Sequence, residues 1–475
     1  MSFHVALVCA LWRSGLLAVI AVGAAIPVAR WFGGTGAGTW RTLAATLIVS
    51  PLLMPKAVIA YAYSNSVLSN IREPWLNEGL TFIILAMMLI PIAAGVLLFA
   101  PPPPLTLASR HLRRMLPTDC KIGLRRLPAT WSFLLGGPLR TRTMAGALVF
   151  LLAFQEFEMT NLFRIRSWTV WLFDAQVGGL TIAESLRRTA LPVAVQTGVL
   201  IIGLLFLLGR HEPRSEFEAR PRCNRPTNAC VWAYLLASTV TICIIPLASL
   251  IIASREGIYA MLSEASIAAK LMNSIILGIA ATIGALAVAR LCTWTNRRRL
   301  LITIVLCLPG LMGALVLALF VVALFQMPVT ASLYDTPLPV LLAVVLLLLP
   351  VIILLKLVLD TAKPKHDLHL ARLLGQSNHP ALKRQGHELV WQLRGRAWWC
   401  VALLLFLLAY FEFTASSILA PPSMRPATVL LYNQMHYGQS HMLSAMVCML
   451  LLPPILLAVG SLLILKLTWR ALSHG

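Results

Sequence analysis

Apolar runs of about twenty residues recur from one end of this sequence to the other, and they constrain the fold more than any other feature. A helix needs roughly 20 apolar residues to cross a bilayer core of about 30 Å. Inside lipid, every backbone polar group has to be satisfied within its own helix. The chain is 59% hydrophobic and 12% charged, with a mean hydropathy of +0.83. These properties predict an all-α polytopic membrane protein and exclude a soluble one.

The apolar runs predict eleven membrane spans. Arg13 interrupts the first run, which is therefore interpreted as a span and not as a cleaved signal peptide. The predicted spans lie near 5–30, 41–64, 79–100, 143–163, 189–209, 229–252, 266–290, 300–325, 338–360, 397–419 and 441–466.

The formal net charge of +22 comes almost entirely from residues between the apolar runs. Strict alternation of the spans sorts the connecting loops into two sets, which hold 28 and 7 Lys or Arg residues. Cytoplasmic loops carry the excess of positive charge. The pattern predicts a multi-pass membrane protein with its N-terminus outside and its C-terminus in the cytoplasm. Membrane lipid, and not nucleic acid, is the expected partner of this charge.

The sequence resembles itself when it is shifted by about 260 residues, which indicates an internal repeat. Matched helices cross the membrane in the same direction, so the predicted duplication is parallel. It divides the chain into an N-terminal repeat of five spans (1–209), a cytoplasmic linker (210–228) and a C-terminal repeat of six spans (229–475). Segment 229–252 has no partner in the first repeat. The matched segments are 14–30 with 274–290, 41–54 with 299–312, 148–157 with 404–413, and 169–179 with 428–438.

The longest predicted cytoplasmic loops, 101–142 and 361–396, follow the same span in each repeat. In the second loop, leucines and Ala371 have helical spacing, with Leu368, Leu370 and Leu374 expected on the same face as Ala371. Arg372 falls on another face, and Gly375 is placed to end the helix as a C-cap. A helix, a glycine and a second helical stretch form a shape that can sit in a groove of another protein.

The segment "HLARLLGQSNHPALKR" resembles the EAA loop of binding-protein-dependent ABC transporter permeases. Ala371 and Gly375 match the second alanine and the glycine of that motif, and Arg372 and Leu374 fit its usual filling. His369 stands where the motif has its glutamate. The following segment, 408–446, and the pair Asn273–Ser274 resemble the fused two-half permeases of the ferric iron and thiamine type. The loop at 101–142 has no clear Ala-Ala…Gly pattern.

This resemblance implies a type I (MetI-like) ABC permease fold and a transport function. The chain would be the membrane subunit of an importer for ferric iron, which a periplasmic or extracellular binding protein delivers. Residues His369, Ala371, Arg372, Leu374 and Gly375 would contact a separate homodimeric ATPase. ATP would bind to that partner, since the sequence holds no GxxxxGK[ST] motif. No cofactor is expected on this chain, and no enzymatic activity of its own.

Ionisable residues inside predicted spans are the other candidates for function, because burying a charge in lipid is expensive. Glu156 and Glu412 occupy equivalent repeat positions near the outer ends of their spans, and Glu158 is close to the first. A symmetric acidic pair facing a central pathway could attract a cation. Alternatively, each glutamate lies near the headgroups or pairs with a neighbouring helix. Lys56 lies deep in its span and could pair with a carboxylate.

No metal site is expected in this chain. Four histidines in the second cytoplasmic loop lack the Cys or carboxylate support that a metal site usually has. The nine cysteines form no CxxC pair, and their scatter predicts buried thiols.

Two other function classes fit parts of the pattern. A secondary, ion-coupled transporter of two parallel six-helix halves would also have eleven or twelve spans, yet it has no need of a helix–glycine–helix loop. A membrane enzyme would show Asp, Glu or His clusters at one membrane face, and the predicted outer loops are poor in them. Thiamine, sulfate-like anions and polyamines stay open as alternatives to ferric iron.

Overall fold

The computed structural model describes residues 2–34, 39–70, 72–100, 139–208, 225–263, 266–292, 297–361, 365–436 and 440–474. Within these ranges the chain forms α-helices and short 3₁₀ and π turns, and no strand. The prediction of an all-α membrane protein is confirmed. Most of the predicted loop 101–142 and most of the linker 210–228 lie outside the described residues.

We refer to 1–209 and 229–475 as the N-terminal and C-terminal halves. The described helices of the N-terminal half are α1 (Phe3–Gly34), α2 (Thr39–Val49), α3 (Lys56–Ala62), α4 (Ser64–Ser69), α5 (Pro74–Phe99), α6 (Leu139–Phe154), α7 (Glu158–Leu162), α8 (Trp168–Val177) and α9 (Ile182–Leu208).

Twelve more helices follow, the first of which begins in the linker. They are α10 (Arg225–Thr239), α11 (Ile245–Ser263), α12 (Ser266–Cys292), α13 (Arg297–Cys307), α14 (Ala314–Phe325), α15 (Leu338–Thr361), α16 (Lys365–Gly375), α17 (Pro380–Val390), α18 (Arg396–Tyr410), α19 (Thr414–Leu419), α20 (Ala427–His436) and α21 (Ser440–His474).

Eight helical segments of the described chain are long and apolar enough to cross a membrane, or ten if two bent pairs each count as one span. These ten coincide with ten of the eleven predicted spans. The eleventh, 143–163, falls on α6, which has 16 residues. At 1.5 Å per residue, α6 is about 24 Å long, short of a bilayer core of about 30 Å. The count of eleven therefore stays a prediction.

Each bent pair turns sharply at a proline-containing 3₁₀ segment. The α2–α3 pair bends by 83° after the turn Ser50–Leu53, and the α13–α14 pair by 104° after the turn Pro309–Met312. Proline has no N–H to donate, so each segment cannot continue as a regular helix. At the second bend Gly313 has φ +79°, a conformation that favours glycine. Pro51 and Pro309 lie in these two turns.

Corresponding helices of the two halves pack in corresponding ways. Helix α1 packs against α5, α6 and α8, and α12 packs against α15, α18 and α20. Each bent span also contacts a short helix of its own half, α3 against α7 and α14 against α19.

Helices α10 and α11, which have no counterpart among the described helices of the N-terminal half, extend across both halves. A π-helical turn at Val240–Ile244 joins them. Helix α10 packs against α1 and α2, while α11 packs along α21 and touches α3. The Tyr63 hydroxyl donates to the Thr241 carbonyl in the π turn at 2.8 Å. This pair of helices ties the two halves together.

Candidate functional site

Glu156 and Glu412 each lie at a break between a span and a short helix, and each carboxylate caps that short helix. The Glu156 carboxylate accepts a hydrogen bond from the Met159 N–H at 3.1 Å. The Glu412 carboxylate accepts from the N–H groups of Ala415 and Ser416, at 2.8 and 3.1 Å. The first N–H groups of a helix have no partner within it, so an acceptor placed there stabilises α7 and α19.

The backbone carbonyls of the same two glutamates also accept matched hydrogen bonds. The Glu156 carbonyl accepts from the hydroxyls of Thr160 in α7 and Thr169 in α8, at 2.9 and 3.0 Å. The corresponding donors to the Glu412 carbonyl are the hydroxyls of Ser416 and Thr428, at 3.0 and 3.5 Å. Each glutamate therefore joins the end of a span, a short helix and the start of the next helix.

Lys56 is what distinguishes the two sites. Its ammonium forms an ion pair with the Glu156 carboxylate, and the Glu156 side chain is only 2% exposed. The equivalent position in the repeat register is Ala314, so Glu412 has no lysine there. The pairing that the sequence suggested for Lys56 is present. The carboxylates of both glutamates accept capping bonds from a neighbouring helix. This arrangement corresponds to the alternative in which each glutamate pairs with a neighbouring helix.

Two small cavities lie where the two halves meet. The first lies between the bend of the N-terminal half and the C-terminal half, and it is lined by Pro55, Ala57, Phe411, Phe413, Thr428 and Leu431. The second lies between the other bend and the N-terminal half, and it is lined by Gly313, Leu315, Gln155, Phe157, Thr169 and Leu172. These two sets occupy equivalent repeat positions, one residue for one. Each cavity has a volume of about 10 Å³, room for about one water molecule.

Glu158 lines the first cavity, and it is the one member of the predicted acidic set that reaches it. Its counterpart in the repeat register is Thr414. The second cavity holds the Gln155 amide where the first holds the Phe411 ring. The two cavities are therefore lined at equivalent positions by different chemical groups.

A glutamine pair links the N-terminal half to the bend of the C-terminal half. The Gln155 amide donates to the Gln196 side-chain oxygen at 2.7 Å and to the Gly310 carbonyl at 3.0 Å. The Gln196 amide donates to the Leu311 carbonyl at 2.7 Å. The 3₁₀ turn exposes these carbonyls, since its i+4 donors are lost, and the two amides satisfy them.

On the predicted outer side, α1 bonds to the segment that precedes α8, and α12 bonds to the segment that precedes α20. The Arg13 guanidinium donates to the Arg166 carbonyl at 3.4 Å, and the Asn273 amide donates to the Arg425 carbonyl at 3.4 Å. Donors and acceptors occupy equivalent repeat positions. Arg13 is 4% exposed and also pairs with Glu78 at 3.1 Å, so the charge in this span has a partner.

Helices α16 and α17 form a hairpin that carries the predicted coupling residues. Ala371 is fully buried between the two helices, while Leu374 and Gly375 are half-buried. His369 and Arg372 are exposed on the outer surface of the hairpin. Leu370, expected beside Ala371, is instead 57% exposed, so that part of the predicted helical face is wrong.

Gly375 ends α16 as predicted, but not in the conformation of a C-cap. Among the described glycines, only Gly179 and Gly313 have positive φ. Instead, the backbone of Gly375 lies against Gly386 of α17, where an added Cβ would overlap the Gly375 nitrogen and approach the Ala371 carbonyl oxygen to 2.7 Å. The crossing therefore requires glycine at 386, a residue that no local pattern singles out.

Three leucines of the hairpin are exposed, and we refer to them together as the leucine ridge. Leu370, Leu373 and Leu382 are 57%, 52% and 41% exposed. Exposed Lys383 and Arg384 lie beside the ridge. Helix α17 continues through a π turn at Trp391–Gly395 into α18, so that Pro380–Tyr410 forms one helical segment of 31 residues. This segment is about 46 Å long at 1.5 Å per residue. It connects the hairpin to the Glu412 break.

No protein family, curated protein or solved structure that we compared with this chain matches it. The residues that the structure describes contain no group of three or more His, Cys, Asp or Glu that could hold a metal ion.

Proposed function

We propose that this chain is the membrane-spanning subunit of an ABC importer of the type I (MetI-like) fold. Two parallel halves, 1–209 and 229–475, are joined by the linker 210–228 and enclose the pathway. A separate homodimeric ATPase drives the cycle from the cytoplasm. The protein lies in a bacterial inner membrane, with its N-terminus outside and its C-terminus inside.

The matched contacts support the duplication more strongly than the apolar sequence similarity does. Apolar helices resemble one another through composition alone. In contrast, four matched features depend on polar groups or on breaks in the helices. They are the glutamate caps, the hydroxyl bonds to the glutamate carbonyls, the bonds from Arg13 and Asn273, and the two cavities. Each recurs at the position that the repeat predicts.

The observation that carries the proposal is the α16–α17 hairpin with its exposed leucine ridge. Three exposed leucines on a solvent-facing loop form an apolar surface that typically marks a protein contact. The continuous segment Pro380–Tyr410 gives this surface a rigid connection to the break at Glu412. ATP can drive a conformational switch only if the ATPase binds the two states with different affinity. A docked hairpin on a rigid helix supplies that difference.

Ferric iron, delivered by a soluble binding protein, is the proposed cargo on the basis of the sequence resemblance. Glu158 is the proposed pathway carboxylate, because it lines a cavity between the halves. Glu156 and Glu412 are proposed to shape the pathway through their capping of α7 and α19. A cavity of about 10 Å³ is closed to any solute larger than water, so the proposed pathway is shut in this conformation.

The test is retention of an ATPase by the purified full-length chain. We expect wild-type protein, extracted from its native membrane in mild detergent, to co-purify with ATP-hydrolysing activity. Leu373→Asp places a charge in the ridge and is expected to abolish that activity. Gln376→Asp adds the same charge to an exposed position off the ridge and should retain it.

Two outcomes would reject the proposal. Wild-type protein that never retains an ATPase would favour the ion-coupled transporter. Labelling of Ser377→Cys by a membrane-impermeant thiol reagent in intact cells would place the hairpin outside and remove it from any cytoplasmic ATPase.

A further inference from the structure

Helix α10 covers one face of the N-terminal half with apolar and polar contacts. Trp31 at the end of α1 is 4% exposed and packs edge-to-face on Trp232, with ring centroids 5.7 Å apart. The Thr239 hydroxyl lies 3.3 Å from the Ser50 hydroxyl and 3.4 Å from the Leu47 carbonyl oxygen. These contacts hold α10 against α1, α2 and the 3₁₀ turn.

The equivalent face of the C-terminal half has no such cover in the described structure. In the repeat register, Leu291, Ile302 and Val305 correspond to Trp31, Ala44 and Leu47. The first set is 70%, 56% and 59% exposed, whereas Trp31 and Ala44 are 4% and 0% exposed and Leu47 is half-buried. On the opposite side, Val19 and its counterpart Ile279 are both exposed, at 71% and 42%.

The chemistry of the uncovered face differs from that of the covered one. Ser50, which contacts α10, is replaced by Leu308. Tyr63, which bonds to the π turn, is replaced by Val321 in the same register. Ala44, which leaves room for a helix, is replaced by the larger Ile302. In lipid, helices associate through small residues and polar contacts. These three replacements remove both kinds of contact. Leu308 is half-buried and Val321 is buried, so the exposed face consists of Leu291, Ile302 and Val305, aliphatic side chains that suit acyl chains.

We propose that bilayer lipid, not a helix, covers the surface formed by Leu291, Ile302 and Val305. This proposal uses the repeat register of the proposed function but not its ATPase. Lipid then lies directly against α13, whose following 3₁₀ turn receives the Gln155 and Gln196 bonds. The bend of the N-terminal half is shielded by a helix, and the bend of the C-terminal half moves against the bilayer.

Photo-crosslinking in native membranes tests this assignment on the full chain. p-Benzoylphenylalanine is placed singly at Leu291, Ile302 or Val305, and the irradiated protein is examined by mass spectrometry and by gel mobility. We expect lipid adducts at all three positions and no discrete heavier band. Val19, exposed in the covered half, serves as the positive control.

Trp31 provides the matched control, since one aromatic side chain replaces another. At position 31 we expect an intramolecular crosslink to α10. The yield of lipid adducts should be lower at Trp31 than at Leu291, because the two side chains are 4% and 70% exposed. A crosslink from Leu291 or Ile302 to another polypeptide, or to a distant helix of this chain, would overturn the proposal. Because neither readout involves ATP, a negative result here is separable from failure of the importer proposal. If one variant does not accumulate, the other two positions report on the same surface.

Discussion

Lys56→Met tests the ion pair that distinguishes the two glutamate sites. The substitution keeps the length of the side chain and removes its charge, which leaves the Glu156 carboxylate without its cation. Breaking a buried ion pair by removing one partner costs about 3–5 kcal/mol. Glu156 is 2% exposed but keeps the Met159 N–H, and Lys56 is 28% exposed. We therefore expect a loss near the lower limit, about 3 kcal/mol of unfolding free energy.

Glu412→Gln is the matched comparison, because Glu412 caps α19 without a lysine. The glutamine oxygen still accepts one of the N–H bonds, so the loss should be that of a weakened cap, about 1 kcal/mol. The double variant Lys56→Met/Glu156→Gln removes both charges. It should be more stable than Lys56→Met alone, since the buried Glu156 side chain no longer carries a charge without its cation.

Equilibrium unfolding in mixed micelles of a mild detergent and SDS, followed by tryptophan fluorescence, measures all three variants. We expect Lys56→Met to lose the most unfolding free energy and Glu412→Gln to lose the least. The reasoning is refuted if Lys56→Met costs no more than Glu412→Gln. It is also refuted if neutralising Glu156 in the Lys56→Met background makes the protein less stable.

Two further substitutions test the hairpin and the contact between the halves. Gly386→Ala should separate α16 from α17 and make the hairpin more sensitive to protease, whereas Gly375→Ala, whose Cβ would lie 3.7 Å from its nearest neighbour, should behave as wild type. Gln196→Leu should lower the unfolding free energy by about 1–3 kcal/mol, because the Leu311 carbonyl loses its donor. Thr197→Val should cost less in the same unfolding assay, since its hydroxyl bonds only within α9. Equal losses for the last two would contradict the role of Gln196.

The α16–α17 hairpin shows how far local pattern extends. Helical spacing predicted α16, and Gly375 marked its end. The same spacing placed Leu370 on the buried face, where the structure has it exposed. A helix of three turns offers more than one apolar stripe, and the packing of α17 decides which stripe is covered. Gly386 shows the same limit, because its need for a bare Cα arises only from the backbone that crosses it.

The glutamates of the candidate site were found because the repeat placed them at equivalent positions. Their capping of α7 and α19 was not predicted, since the apolar run 143–163 was interpreted as one continuous span. The break at Glu156 carries no capping-box signal, because that motif places Ser or Thr three residues before a Glu, whereas here Thr160 follows Glu156. Gln155 and Gln196 carry no local signal either, as their partners lie 155 and 115 residues away.

The sequence by itself determined that this protein is helical and spans a membrane, because apolar run length and the need to satisfy backbone groups are local properties. Tertiary structure alone decided which carboxylate meets Lys56, which carbonyls the two glutamines satisfy, and which face of the C-terminal half is uncovered. Those outcomes depend on contacts between residues far apart in the chain. Their energies are set by the geometry of packed helices and not by the spacing of residues along one of them.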